Sequence, residues 1–310
     1  MRLLVGLVGL LACAACRAPR TDDERASDLP VEAVIDIGDG LRGPESVVHD
    51  TVADVYLVSN INGSPPSRDD NGYISRIAPD GTMLAERWID GARPEVTLHA
   101  PRGLAIHGDV LYVVDADAVR LFSRVTGAPI AAWPIPDPHF PNDLRVADDG
   151  SVYVTETAIH LDMRGPVVEA TPMIWKFSPD GVPSVFARGD YLQGPNGIVL
   201  ADHGDVIVAA FYGHEVYRLS AGGTKTTLAT FPETQLDGLI ELPDHSLLVT
   251  TWTGNGIYRI TPDGNVKLVL HDASMVGPAS IGYDAKRQQL LIPLVLADHL
   301  WIESFPVTPS

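Results

Sequence analysis

The sequence predicts an all-β protein, a six-bladed β-propeller of four-stranded antiparallel blades whose ring is closed by the N-terminal strand. Three observations carry that expectation. Six short apolar strands open on a recurring Pro-centred or Asp-Gly pattern, GPESVV, APRGLAI, FPNDLRV, GPNGIVL, QLDGLIEL and GPASIGY, which sets Glu45, Arg102, Asn142, Asn196, Asp237 and Ala279 at one repeated point. Successive points lie 57, 40, 54, 41 and 42 residues apart. A period of about 40–50 residues made of short strands marks a propeller, because one four-stranded blade buries both faces only when neighbours stack around a closed axis. Finally, aromatic and β-branched residues cluster between turns and no window shows a 3.6-residue period, so helix content should be very low.

Taken in order, residues 1–16 (MRLLVGLVGLLACAAC) carry one Arg and then an apolar run of leader length, too short to span a bilayer as a helix. They read as an export signal of the bacterial lipoprotein kind, with Cys16 or Cys13 as the lipidated residue and the cell envelope, periplasmic or surface, as the destination. Residues 17–30 read as a flexible tether, and 31–310 as the propeller. The strand EAVIDIG precedes the first repeat without a blade of its own; pairing 31–37 with the last blade joins the chain ends and removes two open edges. The fifth repeat shows the grammar of a blade most cleanly: LDGLIEL, SLLVTTW, GIYRIT, a Pro-Asp-Gly turn and NVKLVLH supply strands A to D. The same turn recurs at 78–81 and 178–181, with Pro and Gly where tight hairpins want them. The wide first and third spacings come from insertions after the B strands, 60–72 and 156–173, placed where loops surround whatever the A-strand ring holds.

Both cysteines lie in the leader, so the propeller has neither disulfide nor cysteine ligand. Forty acidic residues against 22 basic ones give a formal charge of -18, which excludes a nucleic-acid partner and is compatible with cation binding. At the repeated point, two carboxylates and two carboxamides, Glu45, Asn142, Asn196 and Asp237, offer only hard oxygen donors with two negative charges. That set suits a divalent cation and calcium above all; magnesium and manganese stay open, and zinc would recruit His or Cys.

These motifs resemble the calcium-dependent propellers that include senescence marker protein, gluconolactonases, the luciferin-regenerating enzyme and, more distantly, paraoxonases. The resemblance spans residues 31–310. Glu45-Ser46-Val47-Val48-His49 is similar to the family's Glu-Gly-Pro-Val-Trp, Phe140-Pro141-Asn142-Asp143 to its Phe-Asn-Asp-Gly, Pro195-Asn196-Gly197 to its Pro-Asn-Gly, and Leu236-Asp237-Gly238 to its Pro-Asp-Gly. It implies Glu45, Asn196 and Asp237 as direct ligands, with Asn142 facing the metal or binding substrate through it. It also implies metal-assisted hydrolysis of a lactone or related ester, with Asp237 orienting or deprotonating the water. Two substrate handles of the family are missing: Phe140 stands where sugar lactonases carry an Arg, and Arg102 where paraoxonases carry a catalytic His. Arg102 is the residue that would present a guanidinium fork to a substrate acid in their place. Asn60, Asn62, Glu156 and Trp252 are the further candidate substrate contacts, and Glu156, Asp115 and Asp117 the alternative bases, with His99 and His139 near the rim. No GxSxG elbow is present. The partner expected is a small lactone or ester, with a membrane touched only through the lipid anchor and the propeller a monomer. The competing reading is a non-catalytic exported propeller that binds a ligand or protein and uses the metal structurally.

Overall fold

A computed structural model describes residues 34–307 except 163, 164 and 169. The expected leader, tether and lipidation sites lie outside these residues. Six four-stranded antiparallel sheets follow one another along the chain. The first blade runs Pro44–Asp50, Val55–Asn60, Tyr73–Ile77 and Met83–Asp90. The second has inner strand Leu104–His107 and outer strand Pro129–Pro134. The third, fourth and fifth begin at Pro141–Val146, Pro195–Leu200 and Leu236–Glu241. In the sixth, Gly282–Asp284, Gln289–Leu294 and His299–Ser304 are completed by Ile35–Ile37, which pairs Ile35 with Ile302 and Ile37 with Leu300. The ring is therefore closed by the N-terminal strand, as the sequence predicts. Regular helix among the described residues amounts to two three-residue 3-10 turns, Asp190–Leu192 and Asp202–Gly204.

The period-2 pattern of each strand explains the stacking. In the fourth blade Val206, Val208 and Ala210 join the cluster shared with the third blade, while Ala209 packs into the cluster shared with the fifth. In the third blade Val152 and Val154 point toward the second, and Tyr153 toward the fourth. Six such clusters fill the six gaps between blades, the last holding Ile37, Leu300 and Ile302 against Val47, Tyr56 and Val58. Burial of both faces of every sheet is the dominant stabilising term, at about 25 cal/mol per Å² of apolar surface removed from water. The Pro-Asp-Gly turns form the expected hairpins: the N–H groups of Gly81, Gly181 and Gly264 donate to the carbonyls of Ala78, Ser178 and Thr261 at 2.8–2.9 Å. Each of these glycines adopts a φ of 79 to 88°, open to glycine at no steric cost.

The insertion at 156–173, expected as a long loop, contains a hairpin of its own, Ile159–Asp162 against Gly165–Val168. The insertion at 60–72 has no regular strand.

Candidate functional site

The inner strands do not run straight into the axis. In the first blade Pro44 pairs with Asn60 and Val47 with Val58, so Glu45 and Ser46 together face Ser59 alone. The same extra residue occurs at Asn142-Asp143, Asn196-Gly197 and Asp237-Gly238. Each is a β-bulge, a device that bends the strand and re-aims a side chain, and it falls on all four predicted ligands.

Hydroxyls opposite the bulges absorb the displaced backbone groups. Thr155 Oγ1 accepts from Asp143 N at 3.0 Å and donates to Asn196 O at 2.7 Å; Thr250 Oγ1 accepts from Gly238 N at 2.7 Å and donates to Ala279 O at 3.2 Å. The bonds these hydroxyls donate, to Asn196 O and Ala279 O, reach the next blade, which locks the ring positions relative to one another. The glycine after the ring residue is a packing requirement here. A Cβ at Gly197 would lie 2.3 Å from Asp237 O, and one at Gly238 2.3 Å from Ala279 O.

Glu45, Arg102, Asn142, Asn196, Asp237 and Trp252 line one cavity of about 190 Å³ together with Ile61, Pro65, Phe140, Ile159 and Phe211. Both long insertions thus contribute to its wall. Among the described residues, eight buried side-chain polar atoms have no hydrogen-bond partner, and seven belong to this cavity: Glu45 Oε2, Arg102 Nε, Asn142 Oδ1, both amide atoms of Asn196, Asp237 Oδ1 and Trp252 Nε1. Buried polar groups are normally paired, so such a cluster calls for a ligand. One unpaired oxygen comes from each of the four predicted ligands, and an all-oxygen set with two carboxylates fits a hard divalent cation.

The electrostatics agree. Burial, then the charges of Asp237 and Asp143, push the Glu45 carboxyl well above the ordinary range, against the lowering effect of Arg102. Burial and Asp143 push Asp237 up to about 8, with Asn196 and Trp252 opposing. Asp143, next to the ring residue Asn142, is a third acid that the repeated position does not mark out; it is 1% exposed, and burial raises its own carboxyl despite an ion pair to Arg145 Nη1 at 3.0 Å. Three buried acids here repel one another, and a cation between Glu45 and Asp237 would relieve that repulsion.

Arg102 does not present a free fork. Its terminal nitrogens donate to the carbonyls of Pro141 and Pro65, and its guanidinium stacks 4.1 Å above the Phe140 ring. The two departures from the family pattern are therefore partners in one cation–π contact. Burial pulls Arg102 down to about 10 against the opposing charge of Glu45.

Asn60, Asn62 and Glu156 do not join the cavity. Asn60 Oδ1 accepts from Arg42 N at 3.0 Å, and Asn62 Nδ2 donates to Asn71 O at 2.8 Å. Glu156 Oε1 accepts from the N–H groups of His139 and Phe140, and its Oε2 from Trp175 Nε1 at 2.7 Å. Asp115, the equivalent residue of the second blade, accepts from His99 N, Ala100 N and Arg120 Nε. Burial opposes ionisation of Asp115, yet Arg120 and these N–H groups hold its carboxyl below the usual range. Asn60, Asp115 and Glu156 are thus one repeated clamp on the turn that precedes strand A. Asp117 pairs with Arg120 Nη2 at 2.7 Å, and the His99 ring lies 3.0 Å from Asp70 Oδ1.

No protein-family model matches the chain, and no curated protein matches its sequence. Solved structures do share its fold. A gluconolactonase from Xanthomonas campestris superposes with a TM-score of 0.67 at 17% identity, covering 88% of this chain and 89% of that one. Virginiamycin B lyase from Staphylococcus aureus gives 0.61 at 14% identity, covering 88% and 99%. A chain of a nidogen–laminin complex gives 0.59 at 15%, covering 77% and 84%. At such identities the likeness establishes the propeller fold and nothing finer.

Proposed function

We propose that this propeller is a metal-dependent hydrolase of lactones or related esters, with calcium as the metal. The observation that carries the reading is the set of four unpaired, buried oxygens, one each from Glu45, Asn142, Asn196 and Asp237, at the floor of a cavity large enough for a small molecule. These four residues would hold the cation, which when bound supplies charge that polarises a substrate carbonyl. The chain's own contributions follow from the geometry. Phe140, Phe211 and Ile159 exclude water from the reacting bond. Arg102 fixes Pro65 over the cavity and keeps a positive charge beside Glu45. Asp237 orients the attacking water and accepts its proton, a role left to it because Asp115 and Glu156 are bound to backbone N–H groups.

Elemental analysis of purified protein, followed by assay on aliphatic, aryl and sugar lactones before and after chelation, tests this. Bound calcium and chelator-sensitive turnover are expected, with Asp237→Ala inactive. Turnover that survives complete chelation would remove the metal from the reaction. A calcium-loaded protein inert toward every compound would leave the binding reading, in which the cation only stiffens the ring.

A further inference from the structure

The wall of the cavity says more than its floor. Above the ring its described side chains are Ile61, Phe140, Ile159, Phe211, Trp252 and Leu296, with Pro65, Val295 and two glycines between them. Phe140, Ile159 and Phe211 form a buried apolar cluster on which Trp252 packs, its ring edge-to-face with Phe211 at 5.6 Å. Outside the ring residues, the single polar side-chain atom on this described wall is the Trp252 indole N–H, which is buried, completes no hydrogen bond, and is near enough to the Asp237 carboxyl to lower its pKa.

Such a wall discriminates in three ways. A sugar lactone brings several hydroxyls, and each one buried without a partner costs about tenfold or more in affinity. A carboxylate or phosphate ester brings a charge, but the terminal nitrogens of Arg102 already serve Pro141 and Pro65, so only its single Nε–H is unpaired and no two-pronged fork meets an anion. A volume of about 190 Å³ also falls below the roughly 300–1,000 Å³ typical of drug-sized ligands, which limits the substrate to a lactone ring carrying one compact aryl or alkyl group. We infer that this site selects compact, uncharged cyclic esters with an aryl or alkyl body and rejects polyhydroxylated ones, with the Trp252 N–H as the donor to the one polar edge of the substrate. The inference rests on the hydrolase reading for its chemistry, but the apolar selectivity stands apart from it.

The test compares kcat/KM of the calcium-loaded full chain for phenyl-substituted δ-valerolactone and for glucono-1,5-lactone. Quenching of Trp fluorescence by phenyl-substituted piperidin-2-one, a lactam that resists hydrolysis, is titrated in parallel, with Trp252→Phe identifying the Trp252 signal. Preference for the phenyl lactone by about a hundredfold or more is expected, together with saturable quenching that the Trp252→Phe variant loses. Equal or better turnover of glucono-1,5-lactone overturns the selectivity and leaves the hydrolase reading intact. Saturable lactam binding with no lactone hydrolysed removes the hydrolase reading; the selectivity is then upheld if glucono-1,5-lactone fails to displace the lactam and overturned if it displaces it. Absence of both binding and turnover overturns the inference.

Discussion

Replacing Asp237 by Asn separates the charge of the ring from its shape. The Asp237 carboxyl stands at about 8 in the metal-free fold against an ordinary 3.8, chiefly through burial. A folded-state value raised above the unfolded one means that the stability tied to this group is intact below about pH 4 and is lost as pH rises through about 8. At about 1.4 kcal/mol per pH unit the gap amounts to roughly 5 kcal/mol. For a large domain that is roughly 10–20 °C in melting temperature. Calorimetry of chelated protein from pH 4 to pH 8 should show a fall of that order, and calcium at about a thousand times its Kd should restore about 4 kcal/mol at pH 8. Asp237→Asn removes the buried charge while keeping the volume. Without metal, the variant should melt above wild type at pH 8, match it near pH 4, and gain little from calcium. A metal-free melting temperature that stays level from pH 4 to pH 8, or an Asn variant less stable than wild type at pH 8, would refute the electrostatic account.

Further outcomes follow from particular contacts. Glu156→Gln should cost about 1–3 kcal/mol, because an amide NH2 then faces the Trp175 N–H; chemical denaturation measures the loss, and isothermal titration should find calcium affinity unchanged. Gly238→Ala, with Cβ 2.3 Å from the Ala279 carbonyl, should fail to fold or lose several kcal/mol, whereas Gly222→Ala, whose nearest neighbour is 3.8 Å away, should be close to neutral. Europium placed in the site should retain at least two bound waters by luminescence lifetimes in H2O and D2O, and the phenyl-substituted lactam should lower that number; a count of zero would describe a closed, purely structural ion.

The repeat made the ring legible. Because one position recurs in every blade, the fold and the convergence of Glu45, Asn142, Asn196 and Asp237 on one cavity could be read from spacing and residue type, and so could the closure by Ile35–Ile37. What spacing could not show is direction. Asn60 and Glu156 sit at the ends of B strands, where a side chain reaches either the axis or the backbone of the preceding turn, and both take the second course. A signal did exist. Asn60, Asp115 and Glu156 follow their ring residues by 15, 13 and 14 positions, and a polar residue that repeats with the blades while its neighbours differ in function is more economically read as part of the scaffold. The stacking of Arg102 on Phe140 joins residues 38 positions apart in adjacent blades; neither substitution alone announces it. The apolar wall draws on four blades and two insertions, so it emerges only once the ring has closed.

The incompleteness of the donor ring bears on whether the site is chemical or merely structural. Six blades offer six positions, yet the second contributes Arg102, whose terminal nitrogens are tied to carbonyls, and the sixth contributes Ala279, which has no donor side chain. Four oxygens remain, whereas calcium takes six to eight ligands. A structural ion is ordinarily enclosed by its protein, while a catalytic one keeps open positions, a distinction drawn most sharply for zinc. The shortfall here lies beside an aromatic-lined cavity, and the cluster of unpaired atoms is confined to its lining apart from Arg76 Nε. Among the described residues polar groups are satisfied almost everywhere else, and unpaired groups gathered at one cavity cost stability there, the pattern expected of a functional site. On the proposed reading the open side of the ring and the apolar wall are one arrangement: the first would admit a carbonyl oxygen, and the second would determine which carbonyl compounds arrive.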